Sequence, residues 1–140
     1  MKNIDMELSS GIAAFEAKEF RRALQLLVPL AESGVKEARF RVAIMYQNGL
    51  GCAPNENQAF EWMHTAAEQG LDLAQHGLGV MYLYGECVEK DEAAAATWFE
   101  RAAEQGLAGS LTSLAMMYQE GLGVDRDPDK AAALYKRAGF

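Results

Sequence analysis

Residues recur along this chain at a period of 36, and a fixed period of that length restricts it to a repeat architecture. Tyr46, Tyr82 and Tyr118 keep the interval, as do Gly49, Gly85 and Gly121, and Ala59, Ala95 and Ala131. Trp62 and Trp98 share the register, with Leu134 next, and Glu68-Gln69-Gly70 returns as Glu104-Gln105-Gly106. One unit cannot bury its apolar stripe alone, so each must lean on its neighbour.

Every unit holds two apolar patterns of helical spacing divided by a glycine-rich break. In the last unit the first helix is expected over about 108–120, stopped at Gly121-Leu122-Gly123. The second starts at Asp127, an N-cap residue followed by Pro128 at the tolerated first position. Asn55 and Asp91 take the same capping place in the earlier units. Before residue 35 the register continues through Ala23, Leu26 and Gly34, with a shorter link between the two helices. That irregular opening suits a terminal cap. The helices fall near 6–17, 20–33, 36–48, 56–69, 72–84, 91–105, 108–120 and 128–138.

The net charge of −7 has the wrong sign for nucleic acid. Residues 71 to 106 carry most of it, with two basic side chains against seven acidic ones. Glu86, Glu89, Asp91 and Glu92 are read either as a solvated face or as a surface for a basic partner. The two cysteines, Cys52 and Cys87, make no disulfide framework and are expected as thiols. The N-terminus lacks a basic head followed by an apolar run, and no apolar stretch suffices to span a membrane. A reduced, cytoplasmic protein that meets neither membrane nor nucleic acid is the expectation.

The pattern Ala74, Leu78-Gly79, Tyr82, Gly85, Val88, Asp91, Ala95, Trp98, Ala102-Ala103 and Gly106 resembles the Sel-one-like repeat, a relative of the tetratricopeptide repeat. The resemblance covers 35–70, 71–106 and 107–140, and residues 1–34 look like a shortened tetratricopeptide-type cap hairpin; together they make one repeat domain. The implied fold is all-α: a right-handed α-α superhelix (α-solenoid) of four stacked helix-turn-helix hairpins, about eight helices. Proteins of this family look like adaptors in bacterial signalling, in host interaction, in neutralising secreted toxins and, in eukaryotes, in protein degradation complexes. The resemblance implies a concave groove lined by the first helix of each unit. Cys87 departs from the register, standing where Gly51 and Gly123 do. A positive φ there would strain it by about 1 kcal/mol, so its loop is expected to take another path.

Positions that differ between units point to binding. Leu83 and Tyr84 stand where the siblings are Gln47-Asn48 and Gln119-Glu120. They are either an exposed anchor for a partner or local packing beneath the acidic loop. Leu111, in register with Arg39 and Gln75, is more readily local packing. Arg39, Gln75 and His76 complete the groove candidates. His64, flanked by Glu61 and Glu68, shares its register with Glu100 and Lys136, which marks a solvent-facing place and not a metal ligand. No phosphate-binding loop, His-Glu-x-x-His or nucleophile turn is present, and no cofactor is expected.

The leading functional expectation is a non-catalytic scaffold or adaptor that binds a protein or peptide. A toxin-neutralising protein or a self-associating one is the alternative, the latter through an uncovered C-terminal hairpin bearing Leu134, Tyr135 and Phe140. A hydrolase of small cell-wall-like ligands is the remote third.

Overall fold

The computed structural model describes residues 3–140. Among them are eight α-helices and no strand: α1 (Ile4–Glu16), α2 (Phe20–Glu32), α3 (Lys36–Asn48), α4 (Glu56–Glu68), α5 (Asp72–Tyr84), α6 (Glu92–Glu104), α7 (Ala108–Glu120) and α8 (Pro128–Arg137). The all-α class read from the sequence holds, and the helix bounds lie within two residues of those expected.

Local chemistry sets those bounds. Asn55, Asp91 and Asp127 each accept a hydrogen bond from the backbone N–H three residues on, satisfying a donor that the helix itself cannot. Asn3 does the same for α1. At the other end of the first helix of each repeat, Gly49, Gly85 and Gly121 adopt left-handed φ of 67°, 69° and 70°. The chain then turns so that the N–H groups of Leu50, Glu86 and Leu122 reach the carbonyls of Met45, Met81 and Met117. Each N-cap backbone N–H next donates to the repeated tyrosine: Asn55 to Tyr46, Asp91 to Tyr82, Asp127 to Tyr118, at 2.8–2.9 Å. The period-36 tyrosine is thus where the loop closes back on its own helix.

The chain resolves into two compact units, one reaching to Gln69 and the other running Gly70–Phe140. In the first, α1 packs on α2, α2 on α3 and α3 on α4. Its core gathers Leu27, Leu30, Val42 and Met45, with Phe15, Tyr46 and Trp62 against it. In the second, α5 packs on α6, α6 on α7 and α7 on α8, around Phe99, Leu111, Leu114 and Met117. The recurrent methionines Met45, Met81 and Met117 are buried, as core and not as a pliable surface.

Only residues 17–19 lie between α1 and α2. The loop at Cys87 corrects the expectation of a different path. Cys87 has φ 64°, beside 75° at Gly51 and 68° at Gly123, so the loop keeps its path and the cysteine takes the strain. The reason is that two hydrogen-bonded anchors, Glu86 to Met81 and Asp91 to Tyr82, fix both ends of the loop whatever residue lies between. Left-handed backbone costs a non-glycine residue about 1–2 kcal/mol. Glycine's greater freedom in the unfolded chain returns about 0.5–1 kcal/mol of that. Cys87→Gly is therefore expected to stabilise the fold by up to about 1 kcal/mol, read as a higher urea midpoint at unchanged slope. An unchanged or lower midpoint would show that the loop relaxes around the cysteine.

Candidate interaction surface

The sequence-selected residues divide into those that hold hairpins together and those that face outward. Arg39 and Gln75 belong to the first kind. Arg39 donates through Nε to the Ala31 carbonyl and through Nη1 to Gln69 Oε1, both at 2.9 Å. Gln69 Nε2 in turn donates to the Gly34 carbonyl at 2.7 Å. One period on, Gln105 Nε2 donates to the Gly70 carbonyl and to Gln75 Oε1, at 2.9 Å each. The recurring glutamine is a clasp. It closes the end of its own helix onto the glycine turn one repeat earlier, and the residue at position 39 or 75 completes the bond set. Gln75 is only 6% exposed, so it is corrected from groove candidate to buried clasp member.

His76 is also committed inward. Its Nδ1 lies 2.8 Å from Ser110 Oγ, and its ring sits 5.2 Å from that of Phe99. Ser110 is fully buried, and at this register the earlier units have Ala38 and Ala74. A buried hydroxyl needs a partner, and His76 supplies it. Burial pushes the His76 pKa below the usual imidazole value. The unfolded chain then binds a proton that the folded chain refuses, so this part of the stability is intact above about pH 6.5 and is lost as pH falls through the lowered folded value. The His76→Phe/Ser110→Ala pair, copying Phe40 and Ala74, should flatten the decline in urea midpoint between about pH 7 and about pH 5. An unaltered slope would assign that decline to other groups.

For Leu83 and Leu111 burial decides between the two alternatives, in favour of packing and against a place in the groove. Leu83 is 6% exposed and lies in the core of the second unit with Leu111, which is 3% exposed. Neither offers a side chain to a partner. Tyr84, one residue and 100° further round the helix, is 65% exposed. Of the acidic candidates, Asp91 is engaged as the N-cap of α6 and Glu92 is half-buried in its first turn, where a negative charge suits the helix dipole. Glu86 and Glu89 are exposed. At the C-terminal hairpin, Leu134 is buried within its own unit, which corrects its assignment to an uncovered face. Tyr135 is half-buried and donates to Gln119 Oε1 at 3.3 Å. Its ring meets Phe140 edge-on at 5.8 Å, and Phe140 is 83% exposed.

His64 is half-exposed and pairs with Glu68 at 2.9 Å within α4. Among the described residues no group of three or more His, Cys, Asp or Glu is placed to hold a metal ion, and no helix is long and apolar enough to cross a membrane. Cys52 and Cys87 are thiols. Burial raises the Cys52 pKa, and its Sγ points to the Met45 and Leu50 carbonyls.

Sequence reasoning passed over Leu73, Ser110 and the clasp glutamines. Leu73 is 44% exposed on α5, in register with Glu37 and Gly109. The comparison between units that singled out Tyr84 applies equally to it.

Three consecutive Sel1 repeats match residues 36–71, 72–107 and 108–139. Among solved structures, a Sel1 repeat protein from Oxalobacter formigenes aligns with TM-score 0.90 and 30% identity over 94% of this chain and 53% of that one. A protective antigen of uropathogenic Escherichia coli strains, c5321, which displays an SLR fold, aligns with TM-score 0.91 and 35% identity over 97% of this chain and 30% of that one. This chain thus spans about half of the first and under a third of the second. Cysteine rich protein B of Helicobacter pylori aligns at TM-score 0.59 and 21% identity, over 74% of this chain and 88% of that one, a likeness of fold alone. No curated protein matches the sequence. The helical repeat solenoid read from the period is the fold class of these matches.

Proposed function

The chain belongs to the Sel1 repeat family, and from that premise we propose that it is a non-catalytic scaffold that holds a protein or peptide partner on the outward face of its repeats. The observation that carries the reading is Tyr84, 65% exposed at the end of α5 where its register mates are Asn48 and Glu120. A large aromatic side chain held in the open by a rigid helix brings contact area at little entropic cost, as interface hot spots do. Three polar candidates on the first helices are bonded within the protein: Arg39 and Gln75 in the clasps, His76 on Ser110. The test is affinity capture from native lysate with mass spectrometry, comparing the wild-type chain with Tyr84→Ser. Protein partners held by the wild type and depleted in the variant are expected. Capture of no protein, or partners indifferent to Tyr84, would overturn the reading.

Phe140 favours a second reading, self-association, because its ring is 83% exposed beside Tyr135. Sedimentation at rising concentration should then show a dimer that Phe140→Ser weakens. A monomer at every concentration removes this reading and leaves the scaffold untouched.

A further inference from the structure

We propose that in the second unit the outward faces of α5 and α7 form a trough that seats a basic amphipathic helix of a partner protein. The proposal rests on the scaffold reading above and names the chemistry of what is held.

The first observation is a stripe. Leu73, Gly77, Val80 and Tyr84 follow the i, i+4, i+7, i+11 spacing that keeps residues on one side of a helix, and all four are exposed or half-buried. Their mates in α3 are Glu37, Arg41, Ile44 and Asn48, so only the middle repeat is apolar along that side. The stripe is about 16 Å long, three helical turns. The second observation is its cross-section. His76 bonded to Ser110 ties α5 beside α7, and a Cβ added at Gly109 would lie 3.4 Å from the His76 ring. Gly77 follows His76 on α5, Gly109 and Ser113 share the matching side of α7 by register, and all three are small, whereas Leu73 and Tyr84 on α5 and the half-buried Met116 on α7 are larger. Small residues between larger ones let a backbone approach closely, which suits a helix lying in a groove.

The third observation is charge. Neither α5 nor α7 contains Lys or Arg, whereas α3 contains three such residues. Asp72 stands at one end of the trough, and Glu86 and Glu120 stand at the other. Residues 70–140 hold six Lys and Arg against eleven Asp and Glu. An apolar floor with acidic ends fits a helix whose apolar side faces inward and whose lysines or arginines reach those ends, and it repels an acidic one.

The probe is a labelled peptide of about 14 residues with leucines along one helical face and lysines elsewhere. Two comparison peptides are a scramble of the same composition and a version with Glu for Lys. Fluorescence anisotropy should show the patterned Leu/Lys peptide binding at least about tenfold tighter than either, and amide shifts should centre on Gly77, Gly109 and Ser113. Leu73→Ser/Tyr84→Ser should weaken it at least about tenfold, and so should Ser113→Arg, which fills the floor. Phe140→Ser should leave it unchanged, and circular dichroism verifies that each variant is folded. Equal binding of the scramble, shifts centred elsewhere, or indifference to both stripe variants would overturn the proposal. So would a dimer of the chain that Leu73→Ser/Tyr84→Ser dissociates, because the occupant would then be a second copy. If these arms fail while native lysate still yields partners, the trough is wrong and the scaffold stands. If the peptide maps to the trough and lysate yields none, the scaffold reading falls.

Discussion

Gly123→Ala should destabilise the protein by about 3 kcal/mol and lower its melting temperature by about 10 °C. Gly123 has φ 68°, where an alanine costs about 1 kcal/mol or slightly more. The larger part is steric. A Cβ built on Gly123 would collide with the Glu92 carbonyl carbon and oxygen and lie 2.8 Å from the Ala93 nitrogen. These are backbone atoms at the start of α6, held by the Asp91 cap, and cannot swing aside as a side-chain tip would. The loop after α7 and the first turn of α6 must separate, opening the contact by which one hairpin seats on the next. Gly121→Ala isolates the backbone share, since it has nearly the same φ of 70° but meets only Arg126 atoms at ordinary contact distance, 3.4–3.7 Å. It should cost about 1 kcal/mol. Gly51→Ala repeats the experiment in the first unit, where Phe20 backbone atoms lie 2.7 Å away. Equal losses at Gly121 and Gly123 would mean that the close approach carries no energy.

The same glycine shows what the sequence made legible and what it hid. Caps and stops could be read because each depends on a few neighbouring residues: Asp127 before Pro128, Gly121 after Tyr118. Repetition strengthened those local signals without changing their kind. The path at Cys87 was hidden because residue preference there yields to the hydrogen bonds anchoring the loop at either end. Leu83 stays open between anchor and packing in the sequence for a different reason. Its register mates Gln47 and Gln119 are polar, yet long amide side chains can lie at a half-covered position with only their tips in water. Polar siblings are therefore weak evidence of exposure, and the phase of the helix decides: Leu83 turns inward and Tyr84 outward. Arg39 and Gln75 differ between units, so they looked like binding positions. Their partners, Gln69 and Gln105, lie 30 residues on, and only the packed structure shows the variation being absorbed within a clasp.

Variation absorbed by packing also predicts the second large effect. Position 79 is glycine where the neighbouring repeats have Ala43 and Ala115, and Gly79 lies inside α5, where alanine is the better helix former by about 1 kcal/mol. By propensity alone Gly79→Ala should stabilise. The structure reverses the sign. A Cβ at Gly79 would stand 2.8 Å from Phe99 Cδ1 and Cε1, and Phe99 is fully buried, with the His76 ring 5.2 Å from its own. Overpacking of this kind costs about 1–3 kcal/mol, so a net loss of about 1–2 kcal/mol is expected. Phe99 stands where the first unit has Met63, so relative to that unit the missing methyl and the broad ring are two halves of one substitution. The last unit keeps Ala115 with a ring, Tyr135, but that ring is only half-buried. Phe99→Met alone should also destabilise, by about 1–2 kcal/mol, because the space beside Gly79 is left unfilled. Combined, Gly79→Ala/Phe99→Met recreates the Ala43 and Met63 pair and should lie within about 1 kcal/mol of wild type, a coupling of about 2 kcal/mol between the two changes. Urea denaturation of the four proteins measures it directly. Simple additivity of the single losses would show that the ring and the missing methyl do not share one space, and that α5 carries its glycine for some other reason.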